Sequence, residues 1–90
     1  MLPETANLDQ NYPNPFNPTT TIRFYLPKSE HVSLKIFNIL GSEVTTLVDK
    51  KLEAGKHAVV FDGKHLASGL YFYRLQVGKF SKVKKMLLIK

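Results

Sequence analysis

The run Asn11-Tyr12-Pro13-Asn14-Pro15-Phe16-Asn17-Pro18-Thr19-Thr20 separates a short polar lead from a chain that otherwise alternates like β-strands. Its three prolines fix φ and remove three backbone donors, so no central strand can pass through them. Its asparagines favour Asx-turns, in which the side chain bonds a nearby backbone amide. We call residues 12–18 the arch and expect Tyr12 and Phe16 to be its two apolar anchors. The run predicts a rigid loop that closes one end of an all-β domain.

After the arch, large apolar side chains recur at every second position, which is the period of half-buried strands. The clearest segments are Thr19–Leu26, His31–Asn38 and Leu70–Val77. Turn residues separate the segments at intervals of roughly 8–12 residues, and no segment keeps a helical period beyond one turn. The sequence therefore predicts an antiparallel Ig-like β-sandwich of about seven strands. The predicted core consists of Ile22, Phe24, Leu26, Val32, Leu34, Ile36, Val59, Phe61, Tyr71, Tyr73 and Leu75.

Three parts of the chain are less regular. Glu43–Val48 is predicted to be a short strand, and a polar connection, Asp49–Gly55, follows it. Phe37 interrupts the alternation and is expected to cover a sheet edge or to pack under the arch. In the predicted terminal strand, Phe80–Ile89, neither alternate set of side chains is cleanly apolar before Met86. Four consecutive apolar residues then indicate either burial on both faces or an apolar surface offered to a partner.

The composition indicates one small domain without cysteine, so no disulfide and no thiolate site can form. No window approaches the ~20 apolar residues of a membrane-spanning helix. Residues 1–10 lack the basic and apolar regions of a secretory signal. We expect residues 1–10 to be a linker remnant and residues 11–90 to be the domain, cut from a longer protein with Met1 as an added start codon.

The positive charge is concentrated at the end of the chain. The formal net charge is +6, and residues 79–90 contain five lysines and no acid. Such an end can meet nucleic acid, anionic lipopolysaccharide or an acidic protein surface. The tract Tyr71-Phe72-Tyr73-Arg74 has the composition of a stacking platform for single strands, but a domain this small needs those rings for its core. Nucleic acid is therefore not expected as a partner, and Arg74 is expected to stack on a ring or to pair with an acid such as Asp62.

No set of residues has the spacing of a catalytic or metal site. The histidines at 31, 57 and 65 lie on three different segments without a paired ligand motif. His57 is expected to be a packed or hydrogen-bonded structural residue. No G-x-S-x-G turn supports a nucleophile, and the oxygen-bearing side chains near the arch include too few acids for a calcium site. The sequence predicts neither an enzyme nor a cofactor or metal.

The run Gln10–Ile22 resembles the opening motif of the C-terminal sorting domains of the type IX (Por) secretion system. The resemblance covers roughly residues 8–90 and continues through Val32–Asn38, Gly41, Val44, Gly55, His57 and Leu66–Leu75 to a basic, apolar C-terminus. The tract Ser68–Leu75 is also shared with the Ig-like domain of flagellar hook-capping proteins.

The resemblance implies a non-catalytic C-terminal address that directs an attached N-terminal passenger across the bacterial outer membrane. It implies recognition by the type IX translocon and later removal by a sortase-like protease, with the passenger attached to lipopolysaccharide or released. The domain is then expected in the periplasm during transit and afterwards at the outer membrane, the cell surface or outside the cell. We expect it to be a monomer.

A folded β-sandwich offers a receptor its edge strands and its end loops. The candidate recognition residues are Tyr12, Pro13, Asn14, Pro15, Phe16, Gly69, Tyr71, Arg74, Lys84, Lys85, Met86, Leu87, Leu88, Ile89 and Lys90. Three alternatives stay open: a plain Ig-like accessory module, an adhesion or carbohydrate-binding module of a secreted enzyme, and a self-assembling part of an extracellular structure. Exposed aromatic side chains on one face would indicate the carbohydrate-binding module.

Overall fold

The structure is a computed structural model that describes residues 5–90 and folds them into seven β-strands. The strands are β1 (Asn7–Leu8), β2 (Thr19–Leu26), β3 (Glu30–Phe37), β4 (Glu43–Leu52), β5 (Gly55–Asp62), β6 (Gly69–Val77) and β7 (Phe80–Leu88). Sheet A has the order β1-β2-β5 and sheet B the order β4-β3-β6-β7, and the paired strands are antiparallel. The predicted all-β sandwich is confirmed. No helix in the described part of the chain is long and apolar enough to cross a membrane.

Two of the predicted turns have the backbone conformation that their glycines permit. Gly78 has a φ of 55°, and the connection Gly78-Lys79 joins β6 to β7 with Val77 directly opposite Phe80. This is the two-residue hairpin that a glycine in the left-handed region allows. In the turn between β3 and β4, Gly41 has a φ of 81°. There the Asn38 Oδ1 atom accepts bonds from the amides of Leu40 and Ser42, at 2.9 and 3.0 Å.

The core lies between the two sheets and agrees closely with the predicted one. Ten of the eleven predicted core residues are buried, whereas Val59 is only half-buried and packs against the cluster from the edge strand β5. An edge strand has a neighbour on one side alone, so its inward side chains are covered less completely. Six further side chains complete the buried cluster: Leu8, Phe16, Val48, Val77, Met86 and Leu88.

The strand β4 is longer than predicted. The segment Asp49–Leu52, expected to be part of a polar connection, continues the ladder with β3 as far as the pair Glu30 and Leu52. Its polar side chains are tolerated because they face solvent, where the His31 Nε2 atom lies 2.7 Å from the Asp49 Oδ1 atom. The predicted end of this strand at Val48 is therefore wrong.

Phe37 lies neither at a sheet edge nor under the arch, so both expectations for it are wrong. It is on β3, between β4 and β6, with its Cα opposite Phe72. It continues the outward-facing set of this strand rather than interrupting the alternation. The Arg74 guanidinium lies 4.9 Å from the centre of its ring, which covers the apolar surface with a cation–π contact. The expected stacking of Arg74 on a ring is thus confirmed, and its pairing with Asp62 is not what the structure shows.

Part of the lead segment belongs to the sheet. Asn7 and Leu8 form β1 against β2, and the Asp9 amide donates to the Arg23 carbonyl at 2.9 Å. Ala6 and Leu8 are buried. Residues 5–9 therefore pack on the sandwich, in contrast to the expected linker, and residues 1–4 of that expected linker lie outside the described part of the chain.

Candidate recognition surface

The arch pairs with the end of the terminal strand, although 70 residues of sequence separate them. The Phe16 amide donates to the Leu87 carbonyl and the Ile89 amide donates to the Phe16 carbonyl, each at 2.9 Å. The Leu87 amide donates to the Asn14 Oδ1 atom, also at 2.9 Å. Phe16 thus forms a parallel bridge opposite Leu88. The two candidate regions meet at the free side of β7, and we call this contact the arch–strand junction (Asn14, Phe16, Leu87, Leu88 and Ile89).

The segment that leads from β1 to the junction also pairs with sheet A. The amide and carbonyl of Tyr12 both pair with Thr21 of β2, at 3.0 Å. The segment from β1 to Phe16 therefore crosses from the edge of sheet A to the edge of sheet B. The segment itself forms the edge of sheet A beside the central strand β2 and then bonds to β7, the edge strand of sheet B, so it closes this side of the sandwich.

A buried polar cluster holds the base of the arch in place. The Tyr73 hydroxyl accepts a bond from the Asn11 amide at 2.7 Å and donates to the Asp9 carbonyl at 2.8 Å. The Asn11 Nδ2 atom donates to the Pro13 carbonyl and to the Thr20 Oγ1 atom, at 3.2 and 3.0 Å. The Thr20 hydroxyl donates to the same Pro13 carbonyl at 2.8 Å. No buried side-chain nitrogen or oxygen among residues 5–90 lacks a partner.

Burial changes the acidity of the phenol in this cluster. Burial in the core raises the pKa of Tyr73 to about 12, and the charge of Asp9 adds to the rise against the lowering effect of the Asn11 amide bond. The hydroxyl therefore stays protonated across the physiological range and keeps its donor role toward Asp9.

The two expected anchors of the arch have different environments. Phe16 is buried and its ring meets the Phe61 ring edge-on, with 6.0 Å between their centroids. Tyr12 is 75% exposed, so the expectation that it is an apolar anchor is wrong. Its backbone bonds to Thr21 direct its side chain to solvent, and Asn11 and Thr20 fill the space beneath it instead.

The structure resolves which alternate set of β7 faces the core. Met86 and Leu88 are each 1% exposed, whereas Leu87 and Ile89 are 38% and 48% exposed. The four-residue apolar run is therefore not buried on both faces. It supplies two core side chains and presents two more on the outer face of sheet B.

Exposed apolar side chains collect around this end of the sheet. Leu70 lies directly opposite Leu87, and a shallow hollow of about 150 Å³ beside Leu70 and Gly69 is lined by Ile39 of the β3–β4 turn. Leu40, in the same turn, is 84% exposed. We call these five side chains the apolar patch: Ile39, Leu40, Leu70, Leu87 and Ile89. Patches of exposed apolar residues commonly mark surfaces that bind other proteins.

Of the remaining candidate residues, some support the fold and others are exposed on the surface. Tyr71 is buried, and its hydroxyl donates to the Ala67 carbonyl at 2.7 Å, so it supports the fold below the apolar patch. The Lys90 amide donates to the Ser68 Oγ atom, and its Nζ atom donates to the Lys64 carbonyl. Lys85 is exposed, whereas Lys84 is half-buried. Lys84 lies directly opposite Tyr73 in the pairing of β6 with β7. Arg74 and Lys84 lie along the strands away from the junction, and Tyr12 lies on the side of sheet A.

Four residues that position the arch were absent from the candidate set: Gln10, Asn11, Thr20 and Tyr73. The role of Thr20 could have been predicted from the sequence, because it shares its strand face with Ile22, Phe24 and Leu26. A polar side chain at a core-facing position needs a buried partner, and that partner is Asn11. The role of Gln10 could not have been predicted in this way, since its bond to the Lys85 carbonyl at 2.8 Å joins segments 75 residues apart.

The histidines are structural or exposed. His57 stacks on Phe24, with 5.3 Å between the ring centroids, and its Nε2 atom bonds the Glu53 carbonyl at 2.7 Å. The expectation of a packed, hydrogen-bonded His57 is confirmed. Within residues 5–90, no group of three or more His, Cys, Asp or Glu side chains could hold a metal ion.

The chain is similar in sequence to one protein family and in structure to parts of two solved proteins. Residues 10–90 match the family model described as the secretion system C-terminal sorting domain. The chain is similar in structure to part of dimeric latent PorU from Porphyromonas gingivalis, with a TM-score of 0.72 and 21% identity over 99% of this chain and 10% of that one. It is also similar to part of PorZ, described as an essential bacterial surface component of the type-IX secretion system of the same organism. That match has a TM-score of 0.62 and 24% identity over 90% of this chain and 11% of PorZ.

The chain spans about a tenth of the length of these two proteins, so the likeness concerns only a part of each. No curated protein sequence matches the chain significantly. The family model, in contrast, covers the arch, all of β7 and, except for Asp9, the polar cluster beneath the arch. This chain belongs to the family of C-terminal sorting domains of the type IX secretion system.

Proposed function

We propose that this domain is a folded export signal whose readable surface is the apolar patch beside the arch–strand junction. The observation that carries the proposal is the division within β7: Met86 and Leu88 complete the core, whereas Leu87 and Ile89 face solvent beside Leu70. A sandwich that needed only a stable last strand would not require apolar side chains on both faces. The family membership supports a sorting role over a plain accessory or carbohydrate-binding module.

In this role the type IX translocon binds the domain in the periplasm and passes the N-terminal passenger to the outer membrane. A sortase-like protease then removes the domain, and the passenger is attached to lipopolysaccharide or released. The domain itself carries out no reaction. Its basic C-terminal segment, with five lysines in residues 79–90, attracts an acidic receptor over distances of about a Debye length.

Point substitutions test this better than truncation. Deleting residues 86–90 would remove the buried Met86 and Leu88 together with the bonds to Phe16, so the fold and the signal would be lost at once. We instead expect Leu87→Ser with Ile89→Ser to leave the fold intact and to reduce export of a fused reporter in a type IX-competent host. The reduction should exceed about tenfold if the patch supplies about 1.4 kcal/mol of the recognition free energy.

The matched control is Val60→Ser on the outer face of sheet A. Val60 is 66% exposed and lies away from the junction, so this variant should fold and be exported like the parent. Folding is measured by thermal unfolding of each purified domain. Normal export of the folded Leu87→Ser, Ile89→Ser variant would contradict the assignment of the apolar patch, and equal loss in the Val60→Ser variant would contradict its specificity.

A further inference from the structure

The outward backbone groups of β7 have two different environments along the strand. In an antiparallel ladder, every second residue directs both its N–H and its C=O toward the same neighbour. Leu87 directs both toward the arch, so Lys85, Val83 and Ser81 direct theirs to the same side. The Lys85 carbonyl is taken by the Gln10 side chain and the Ile89 amide by Phe16.

The groups nearer the hairpin are open. Within residues 5–90, no strand and no part of the arch pairs with the outward groups of Ser81 and Val83, because β7 is the last strand of sheet B. Ser81, Lys82 and Val83 are all exposed, and Val83 is 54% exposed. An unpaired strand edge of this kind is a template for one more strand. We call the segment Ser81–Lys85 the open edge, in which the Lys85 carbonyl alone already has a partner, the Gln10 side chain.

The charges at the open edge select what can pair with it. Lys82 and Lys84 point to one side of the strand, and Val83 and Lys85 to the other. The acids near this side are Glu30, beside Gly78, and Asp9, below Tyr73, so the lysines outnumber them. A second copy of the chain would place lysine against lysine across the pair, which is unfavourable. The lysines therefore oppose self-pairing and favour an acidic strand.

The other sheet edges in the described part of the chain, those of β1, β4 and β5, lack this selectivity, and β1 has only two residues. The ladder between β3 and β4 contains two register shifts, and its regular part, residues 48–52 of β4, carries Asp49 beside Lys50 and Lys51, so its charges have both signs. The strand β5 contains one lysine and one aspartate, so the formal charges along its edge cancel. The open edge of β7 is thus the one that combines regular pairing, exposure and a single sign of charge among the described strands.

We propose that the open edge of β7 is a strand-addition site for an extended acidic segment of another protein. Directly opposite residues of an antiparallel pair lie side by side. The added strand therefore carries acids opposite Lys82 and Lys84 and an apolar residue opposite Val83. This acid–apolar–acid pattern supplies both main-chain bonds and charge complementarity. The open edge adjoins the apolar patch at a hollow lined by both Val83 and Ile39, but its main-chain pairing does not depend on the role of the patch in export.

The first test uses a capped peptide of alternating Glu and Val, seven residues long, added to the isotope-labelled 90-residue chain. At a peptide concentration of about ten times Kd, hydrogen exchange at the amides of Ser81, Val83 and Lys85 should slow about tenfold, because roughly nine tenths of the chains are bound. The Leu87 and Ile89 amides already have partners and should keep their rates. Protection at β4 or β5 in place of β7, or no protection, would overturn the proposal.

The second test changes the edge itself. Val83→Pro removes an outward N–H that β6 does not use, and it should weaken peptide binding at least about tenfold, whereas Val83→Thr keeps binding. If the proline variant fails to fold, Lys82→Glu with Lys84→Glu serves instead. That variant should reverse the charge preference of the site and bind a capped Lys–Val peptide more tightly than the Glu–Val peptide. Unchanged preference, or dimerisation of the parent chain through β7 in solution, would refute an acidic partner.

Discussion

The two halves of β7, residues 80–84 and residues 85–88, belong to one continuous strand but have different surroundings. The second half is bonded by β6 on one side and by Gln10, Asn14 and Phe16 on the other, and its inward side chains are fully buried. The first half is bonded by β6 alone and carries lysines and an exposed valine. The difference shows that a sheet edge is closed by whatever segment reaches it, not by the strand's own sequence.

The comparison also separates two ways of handling an edge. The arch closes the second half by supplying backbone partners, which removes the edge altogether. The lysines protect the first half by making it unsuitable for copies of itself. The first solution stabilises the fold, and the second leaves a surface that a partner of opposite charge can use.

The largest contrast between the halves should be in stability. Leu88→Ala removes a side chain that is 1% exposed, and it should lower the free energy of unfolding by about 2–5 kcal/mol. Val83→Ala, in the open half, should change it by less than about 0.5 kcal/mol, since more than half of that residue remains exposed to water. Denaturant titration of both variants measures the contrast. Equal losses would mean that the two halves are not packed differently.

A second prediction concerns Tyr73, which lies opposite Lys84 at the boundary between the halves. Tyr73→Phe leaves the Asn11 amide and the Asp9 carbonyl without their partner and should cost roughly 1–3 kcal/mol. Stability should also depend on this phenol at high pH. Because burial raises the pKa of Tyr73 from 10.0 to about 12, its contribution is complete below pH 10.0 and is lost as the pH rises toward about 12.

Unfolding measured across that pH range tests the assignment. The Tyr73→Phe variant should lack this part of the decline, whereas Tyr12→Phe, at a position that is 75% exposed, should keep the parent's profile. The same decline in the parent and in the Tyr73→Phe variant would show that the Tyr73 phenol is not responsible for it.

The smallest loss of stability that we expect at a buried position concerns the packing of the junction. A Cβ atom on Gly63 would lie 3.2 Å from the Leu88 Cδ2 atom, 3.4 Å from the Phe16 Cε2 atom and 3.4 Å from the Pro18 carbonyl. Gly63→Ala should therefore cost about 1 kcal/mol, at the lower end for overpacking, because the neighbours need to move only slightly.

A double-mutant cycle identifies the crowded atom. Leu88→Val shortens the side chain nearest to the new Cβ atom, so the combined variant should lose less than the sum of the two single losses, by about 0.5 kcal/mol or more. Strict additivity would place the strain elsewhere, for instance at the Pro18 carbonyl.

The period of the side chains was enough to predict most of the fold. In a β-strand, successive side chains point to opposite faces whichever strand is the partner. For this reason ten of the predicted core residues are buried. The hairpin at Gly78-Lys79 and the turn at Gly41 were also predictable, since a positive φ is a local requirement that glycine meets. The length of β4 was not, because polar residues on a solvent face neither favour nor forbid pairing with β3.

Tertiary contacts determine which face of β7 points inward and which of the two aromatic residues of the arch is buried. Both alternate sets of β7 contain lysines and apolar residues, so the local pattern is balanced. The register with β6, where Met86 meets Tyr71, and the bonds from Phe16 to Leu87 and Ile89 place Met86 and Leu88 inside. Tyr12 and Phe16 likewise have similar proline-rich neighbours, but one pairs with β2 at the surface and the other reaches β7. These contacts join distant segments, and their energies depend on both partners, so no single segment of the sequence could determine the outcome.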